Sequence, residues 1–171
     1  MRQRVVVGVS GSLGSLTALH QAVSEARERG AELCAVLAWQ LPGGGLGSRT
    51  GGLGAETFRE CRAAARAELC AALDMAFAVE RPGIALSGFA VRGDPRAVLV
   101  DAVRSADDLL VVGMGSRGRR FPGLRTPVAR YCLAHAPCPV LAVPPHPLEA
   151  ELASARRTAW RLPLMAREQE Q

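Results

Sequence analysis

Residues 107–143 constrain the fold of this chain more than any other segment. They read as an apolar run, a glycine- and arginine-rich stretch, a helical pattern and a second short apolar run, DDLLVVGMGSRGRRFPGLRTPVARYCLAHAPCPVLAV. A buried strand that runs into glycines and then a helix can present free backbone N–H groups to an anion. Pro137 and Pro139 end the helix and begin the last strand, because proline cannot continue either element from inside. The segment therefore predicts a strand, an anion-binding type of turn, a helix and a strand.

Apolar runs alternate with helical patterns along the rest of the chain. Residues 4–9 are a continuous valine-rich run, typical of a strand buried on both faces of a parallel sheet. Ser12 or Ser15 can cap the following helix, and Gly30 ends it. The pattern also predicts strands at 33–39, 84–91, 109–112 and 140–143, and helices at 55–80, 95–106 and 126–136. Such alternation favours an α/β domain with a mainly parallel sheet and right-handed crossovers.

The composition excludes several classes of protein. The chain has 171 residues, 49% of them apolar, which suits one globular domain. No apolar run approaches the ~20 residues of a membrane span, and Met1 to Arg4 lead straight into the first strand without a signal core. The five cysteines form no CxxC pair, so free thiols are expected. These features predict a cytoplasmic protein that does not contact a membrane.

Residue usage also limits the chemistry. All 21 basic residues are arginine, so a P-loop lysine or a Schiff-base lysine is impossible. Aromatic residues are too few and scattered for a base-stacking surface, so nucleic-acid binding is not expected. The three histidines lack metal-ligand spacing and no Ser-His-Asp set is evident, so neither a metal nor a catalytic residue is predicted. Asp107 and Asp108 precede a strand, opposite the end where α/β ligands bind, and we predict surface polarity and turn formation for them.

Three segments resemble the universal stress protein family and together cover residues 4–144. They are VVVGVSGSLGSLTALHQAVSEARERGAELCAVLAW, VRGDPRAVLVDAVRSADDLLVVG and VARYCLAHAPCPVLAVP. The first segment is similar to the family's first strand, first helix and second strand. The second is similar to its third strand, third helix and fourth strand, and the third to its closing helix and strand. The resemblance implies a three-layer sandwich with a five-stranded parallel sheet in the order 3-2-1-4-5, helices on both faces, and usually a dimer.

Many members of that family bind ATP through a signature after the fourth strand: Gly, two residues, Gly, nine residues, then Gly-Ser or Gly-Thr. Gly115 and Gly118 match the first half, although Gly113 and its neighbour lengthen the turn by two residues. In the second half Thr126-Pro127 stands where Gly-Ser belongs, with seven residues between Gly118 and Thr126 instead of nine. Pro127 has no N–H to donate, and Thr126 cannot take the φ values open to glycine.

A second departure lies after the first strand. The family's ATP binders usually carry an aspartate there, which helps to hold the nucleoside end, and this chain has Ser10. Because the site departs from the pattern at two separate points, we predict that ATP is bound weakly or not at all. If it is bound, we expect the phosphates near the glycines and Thr126, and the base near the ends of the first two strands. The candidate binding residues are Val9, Ser10, Gly11, Ser12, Ala38, Gly113, Met114, Gly115, Arg117, Gly118, Thr126 and Val128.

Each of these features has a plainer alternative. Arg117 and the three arginines that follow it (119, 120 and 125) can bind phosphate through paired N–H groups, or can be a solvated basic loop. The glycines can serve a tight turn without any ligand. A Rossmann site is disfavoured, because no acidic residue follows a second strand at the required distance.

Three functions follow from the resemblance. The first is a dimeric stress-response adaptor with a degenerate nucleotide site and an unknown client protein. The second is an ATP-binding protein that signals through nucleotide occupancy, and the third is a slow ATP hydrolase. Residues 1–145 would form the domain, and 146–171 a tail with a short helix. We expect a homodimer through residues 140–143, because that apolar strand lies at an edge of the predicted sheet.

Overall fold

The computed structural model describes residues 3–41, 55–79, 81–114, 128–144 and 147. Strands and helices alternate along these residues. In chain order they are β1 (Arg4–Val9), α1 (Leu13–Arg29), β2 (Glu32–Trp39), α2 (Ala55–Ala76), β3 (Leu86–Arg92), α3 (Pro95–Ala102), β4 (Leu109–Gly113), α4 (Val128–His135) and β5 (Val140–Val143).

The strands form one parallel sheet in the order β3-β2-β1-β4-β5, which confirms the predicted fold. β1 is central, with Val6 opposite Cys34 of β2 on one side and opposite Leu110 of β4 on the other. The chain moves outward from β1 through β2 to β3, then crosses back to β4 and continues to β5. The order of the strands therefore reverses between β1 and β4.

The sheet separates two apolar cores, because successive side chains of a strand point to opposite faces. Val5, Val7 and Val9 of β1 pack with α1 and α2, whereas Val6 packs with α3 and α4. Gly8 lies on the face of Val6, where an added Cβ would be 2.9 Å from Leu99 Cδ1. Glycine at this position lets α3 lie close against the middle of the sheet.

Both ends of α1 follow the sequence prediction. Ser12 is the N-cap, and its side chain accepts a hydrogen bond from the Ser15 N–H at 3.2 Å. Gly30 ends the helix with φ 59°, in the left-handed region, and its N–H reaches the carbonyls of Ala26 and Arg27. These two signals are local, which is why the sequence identified them correctly.

The prediction for α3 was wrong at its C-terminal end, because the helix stops at Ala102 instead of continuing to residue 106. Asp108 Oδ2 accepts hydrogen bonds from the backbone N–H groups of Arg104 at 2.9 Å and Ser105 at 3.3 Å. Those N–H groups consequently point to a carboxylate and not to helix carbonyls. The chain is extended at Val103, with φ −72° and ψ 131°.

Asp108 is also not a surface residue, contrary to the sequence expectation. It is 2% exposed and pairs with the Arg4 guanidinium, whose Nη2 lies 2.8 Å from Asp108 Oδ2. The same Arg4 nitrogen donates to the Ala102 carbonyl at 3.2 Å. The predicted role in turn formation is correct, but Asp108 performs it from the interior, where it fastens α3 to β1.

Two further boundaries differ from the predictions. α2 ends at Ala76, four residues earlier than expected, and the chain approaches Pro82, before which residues are pushed towards extended conformations. β3 begins at Leu86, two residues later than predicted, and extends to Arg92. The predicted start of α4 at Thr126, most of the glycine- and arginine-rich stretch before it and almost all of the tail lie outside the described residues. No helix in the described part of the chain is long and apolar enough to span a membrane.

Candidate functional site

The reversal of strand order leaves a crevice at the carboxyl ends of β1 and β4. The connections from these strands diverge, β1 leading to α1 on one face of the sheet and β4 leading towards α4 on the other. In open α/β sheets ligands bind at such a switch point, outside the carboxyl ends of the strands. This geometry makes the segment after Val9 and the segment from Gly113 the candidate functional site.

Gly113 packs directly against the backbone of α1. A Cβ added at Gly113 would lie 2.8 Å from the Gly14 carbonyl oxygen and 3.2 Å from the Gly14 carbonyl carbon. Because backbone atoms cannot rotate away, any larger residue would push α1 off the end of β4. The structure thus gives Gly113 a packing role against α1, which differs from both the ligand contact and the tight turn that the sequence left open.

Met114 lies at the rim of the crevice. Its N–H donates to the Val143 carbonyl at 2.8 Å, which extends the ladder between β4 and β5 by one bond. Its side chain is 56% exposed, and Leu13, the first residue of α1, is 48% exposed. Large apolar side chains are therefore exposed at the end of β4 and at the start of α1.

The turn from β1 to α1 carries two hydroxyl groups. Ser10 Oγ and Ser12 Oγ are 3.1 Å apart and exposed, and Gly11 between them has φ 63°. Ser12 also binds the backbone of Ser15, so its oxygen is already engaged in capping α1. Ser15 is buried and donates through its hydroxyl to the Ser12 carbonyl at 2.8 Å. Much of the hydrogen-bonding capacity of the turn is thus used by the fold itself.

Glu68 of α2 reaches this turn, and sequence reasoning did not find it. A Cβ added at Gly11 would lie 3.0 Å from Glu68 Oε1, so the carboxylate lies against the glycine. Glu68 is exposed and has no hydrogen-bond or ion-pair partner among the described residues. No sequence signal could have placed it, because its position depends on how α2 packs beside α1.

The end of β2 adds an apolar wall next to the turn. Val9 pairs with Leu37, so Ala38 is the neighbour of Ser10 across the two strands. Trp39 follows with its ring 5.6 Å from that of Phe58, and its buried indole Nε1 has no acceptor among the described residues. The surroundings at the end of β2 are therefore largely apolar, which suits the base of a nucleotide, and the Arg92 guanidinium lies 5.6 Å from the Phe58 ring centroid.

The structure brings together those predicted site residues that it describes. Most of them surround the ends of β1, β2 and β4: Val9, Ser10, Gly11, Ser12, Ala38, Gly113 and Met114. Val128 begins α4 and packs with the core between the sheet and helices α3 and α4. Gly115, Arg117, Gly118 and Thr126 lie outside the described residues, so the phosphate end of the predicted site stays a prediction.

Metal-ligating clusters and reactive thiols bear on the chemistry that the described residues can perform. No group of three or more His, Cys, Asp or Glu side chains among them could hold a metal ion. Burial raises the pKa of the Cys34, Cys132 and Cys138 thiols, so these cysteines are protonated at neutral pH and are poor nucleophiles.

The fold and the crevice define the class of protein first. A doubly wound parallel α/β sheet whose strand order reverses at a switch point is an architecture that commonly binds nucleotides. The model of the universal stress protein family matches residues 1–144. The chain therefore belongs to the universal stress protein family, as its motifs predicted.

Solved structures of universal stress proteins resemble this one. A universal stress protein in complex with cAMP has a TM-score of 0.59 and 27% identity, and the match covers 85% of this chain and 98% of that one. A family protein from Burkholderia pseudomallei has a TM-score of 0.57 and 26% identity, covering 85% and 97%. The Archaeoglobus fulgidus protein in complex with dAMP shares the fold at a TM-score of 0.54 and 23% identity, covering 82% and 97%. No curated protein matches the chain.

Proposed function

We propose that this universal stress protein acts as a dimeric adaptor whose adenine-nucleotide site, at the carboxyl ends of β1 and β4, is weak. The observation that carries the proposal is that the fold itself already engages groups of the site that a ligand would need. Ser12 caps α1, and Gly113 is held against the backbone of Gly14. These groups are therefore engaged by the fold and are less free to contact a ligand.

The sequence beyond the described residues supports weak binding. Pro127 stands at the helix start where a backbone N–H would bind phosphate, and proline has none to offer. Ser10 supplies no charge at the nucleoside end. The proposed ligand contacts are Val9, Ser10 and Ala38 for the base and ribose, and Gly115, Gly118 and Thr126 for the phosphates.

Calorimetric titration of the purified protein with AMP, cAMP, ADP and ATP tests the nucleotide site. We expect a Kd above about 10 μM, equivalent to roughly −7 kcal/mol. Gly118→Val should abolish the binding, because a side chain there would block the approach of phosphate to the turn, and its melting temperature should stay near that of the wild type. Co-purified ATP, or a Kd below that limit, would overturn the proposal of a weak site.

We propose that the dimer forms through β5. This strand pairs with β4 on one side, and Val140, Leu141 and Ala142 are only partly buried. On α4, Tyr131 faces the guanidinium of Arg96 on α3, and Leu133, two positions on, is 59% exposed. Leu133 therefore points away from α3, on the side of the edge strand. Antiparallel pairing of β5 with its copy would satisfy both edges about a two-fold axis.

Sedimentation equilibrium at micromolar concentration tests the dimer. We expect twice the monomer mass of 18.0 kDa. The tail offers an alternative, because residues 146–171 could cover β5 and keep the chain monomeric. The proposed interface would be refuted if the full chain is a monomer and remains a monomer after deletion of residues 146–171.

A second candidate function is signalling through nucleotide occupancy. It is favoured by the cAMP complex of the family member that is 27% identical to this chain. Tight, saturable binding of one nucleotide with a change in dimer mass would favour this candidate. Enzymatic turnover is the least supported, because among the described residues no group of three or more His, Cys, Asp or Glu side chains could hold a magnesium ion, although the single carboxylate of Glu68 lies beside the turn.

We also propose that residues 1–145 fold as one domain, with 146–171 as an appended segment, and that the protein is cytoplasmic. The described cysteines are free thiols, which fits a reducing compartment. Expression of residues 1–145 alone tests the domain boundary, and cooperative unfolding of that fragment is the expected result.

A further inference from the structure

The carboxylate of Glu68 changes the electrostatics of the crevice. It comes from the middle of α2, on the same side of the sheet as α1, and lies against Gly11 in the exposed turn after β1. The positive φ of Gly11 and the absence of a side chain together make room for it. Glu68 thus brings a negative charge to a turn whose own residues are neutral.

We propose that Glu68 accepts hydrogen bonds from the ribose hydroxyls of the bound adenine nucleotide and makes the site selective for a ribose over a dideoxyribose. This inference rests on the proposed nucleotide site and names its recognition of the sugar. In this chain the acidic side chain that contacts the nucleoside would belong to α2, the helix after β2. In the family's ATP binders it is usually the residue directly after β1, where this chain has Ser10.

The chemistry of the groups supports this assignment. An ionised carboxylate has two oxygens that only accept hydrogen bonds, and a ribose offers two adjacent hydroxyl donors. Bonds to a charged acceptor are shorter and stronger than bonds between neutral groups. Ser10 and Ser12 are bound to one another and Ser12 also caps α1, so they are poorer acceptors for a sugar than the unpartnered Glu68.

The position of the charge also orients the ligand. Glu68 lies against Gly11, two residues before α1 begins, so a phosphate placed there would meet a negative charge at short range and be repelled. A sugar hydroxyl at the same point is attracted. The nucleotide should therefore place its sugar towards Gly11 and its phosphate towards the end of β4, with the base on the apolar side near Ala38.

Calorimetric titration of the full chain with AMP and with 2′,3′-dideoxy-AMP tests the proposal, because the two probes differ only in the hydroxyls. We expect the wild type to prefer AMP about tenfold, the effect of one hydrogen bond to a charged group. Glu68→Ala should abolish the preference while it leaves the affinity for dideoxy-AMP unchanged. Asp74→Ala is the matched control, because Asp74 is an exposed acid of α2 about 9 Å further from the crevice along the helix.

The outcomes separate the inference from the proposed site. A wild type that binds both nucleotides equally, or a Glu68→Ala variant that keeps the preference, would overturn the role of Glu68 and leave the nucleotide site intact. A wild type that binds neither at millimolar concentration would refute both. Loss of the preference in Asp74→Ala as well would show a general effect of charge and would also refute the contact.

Discussion

Replacement of Asp108 by alanine should destabilise the protein strongly, although Asp108 lies far from the crevice. The side chain accepts hydrogen bonds from Arg4, Arg104 and Ser105 and is 2% exposed. Its removal leaves the backbone N–H groups of Arg104 and Ser105 without this acceptor. It also leaves the largely buried guanidinium of Arg4 with only the Ala102 carbonyl among the partners described above. Breaking a buried pair from one side costs about 3–5 kcal/mol, and since this one is at the end of the sheet we expect about 3 kcal/mol.

Urea unfolding followed by circular dichroism measures this free energy, and Asp107→Ala is the matched control. Asp107 is the neighbouring acid and is exposed, so its replacement should cost less than about 0.5 kcal/mol. In a domain of this size a loss of about 3 kcal/mol lowers the melting temperature by about 10 °C. Equal effects of the two substitutions, or a cost below about 1 kcal/mol for Asp108→Ala, would refute the assigned role.

The same carboxylate predicts a pH dependence of stability. Burial by itself raises the pKa of Asp108, but the N–H of Arg104 and the guanidinium of Arg4 lower it by more, so the pKa lies below its ordinary value. A carboxyl group whose pKa is lower in the folded state than in the unfolded state stabilises the folded state. This contribution is complete above the unfolded-state pKa, about 4 for aspartate, and is lost as the pH falls through the folded-state pKa. The difference in stability between wild type and Asp108→Asn should therefore shrink below about pH 4, and a constant difference down to pH 2 would contradict this.

Three further predictions concern the crevice and the sheet edge. Gly113→Ala should lower the free energy of unfolding in urea by about 2 kcal/mol, because its Cβ would meet the Gly14 backbone at 2.8 Å. Gly88→Ala is the control and should lower it clearly less, because its nearest contact is a leucine side chain at 3.3 Å. Leu141→Arg should shift the protein to monomer in sedimentation equilibrium and should also lower the melting temperature, because Leu141 packs against the core on the α1 side of the sheet; a persisting dimer would place the interface elsewhere. Gly11→Ala should weaken AMP binding measured by calorimetry, because the methyl group would displace the Glu68 carboxylate, and unchanged affinity would count against that contact.

The sequence predicted the architecture well because its signals are local or shared by a family. Proline, glycine and serine mark the ends of α1 and the start of α3, and these features depend only on neighbouring residues. The strand order came from the resemblance, since alternation alone allows several orders. The end of α3 was predicted wrongly because a carboxylate from a later turn took the N–H groups of residues 104 and 105.

The candidate site was predicted only in part for the same reason. Val9, Gly113 and their neighbours lie where strands end, and strand ends can be read from apolar runs. Glu68 belongs to a long arginine- and alanine-rich helix in which any of several acids could face the crevice. Which of these acids faces the crevice depends on how α2 is rotated about its own axis where it packs against α1. A single sequence shows no pattern from which that rotation can be predicted.

The contact between Gly8 and Leu99 has a consequence for how the sheet finds its alignment during folding. Most strands reject a shift by one residue because it would turn polar side chains inward. In β1 valine lies on both faces, so such a shift would still leave apolar residues at most of the buried positions, and would bring Arg4 or Ser10 to only one of them. It would also bring a valine beneath Leu99, where a Cβ has only 2.9 Å. In this central strand the volume available at a single position therefore helps to select the correct alignment, in addition to the contrast between polar and apolar residues.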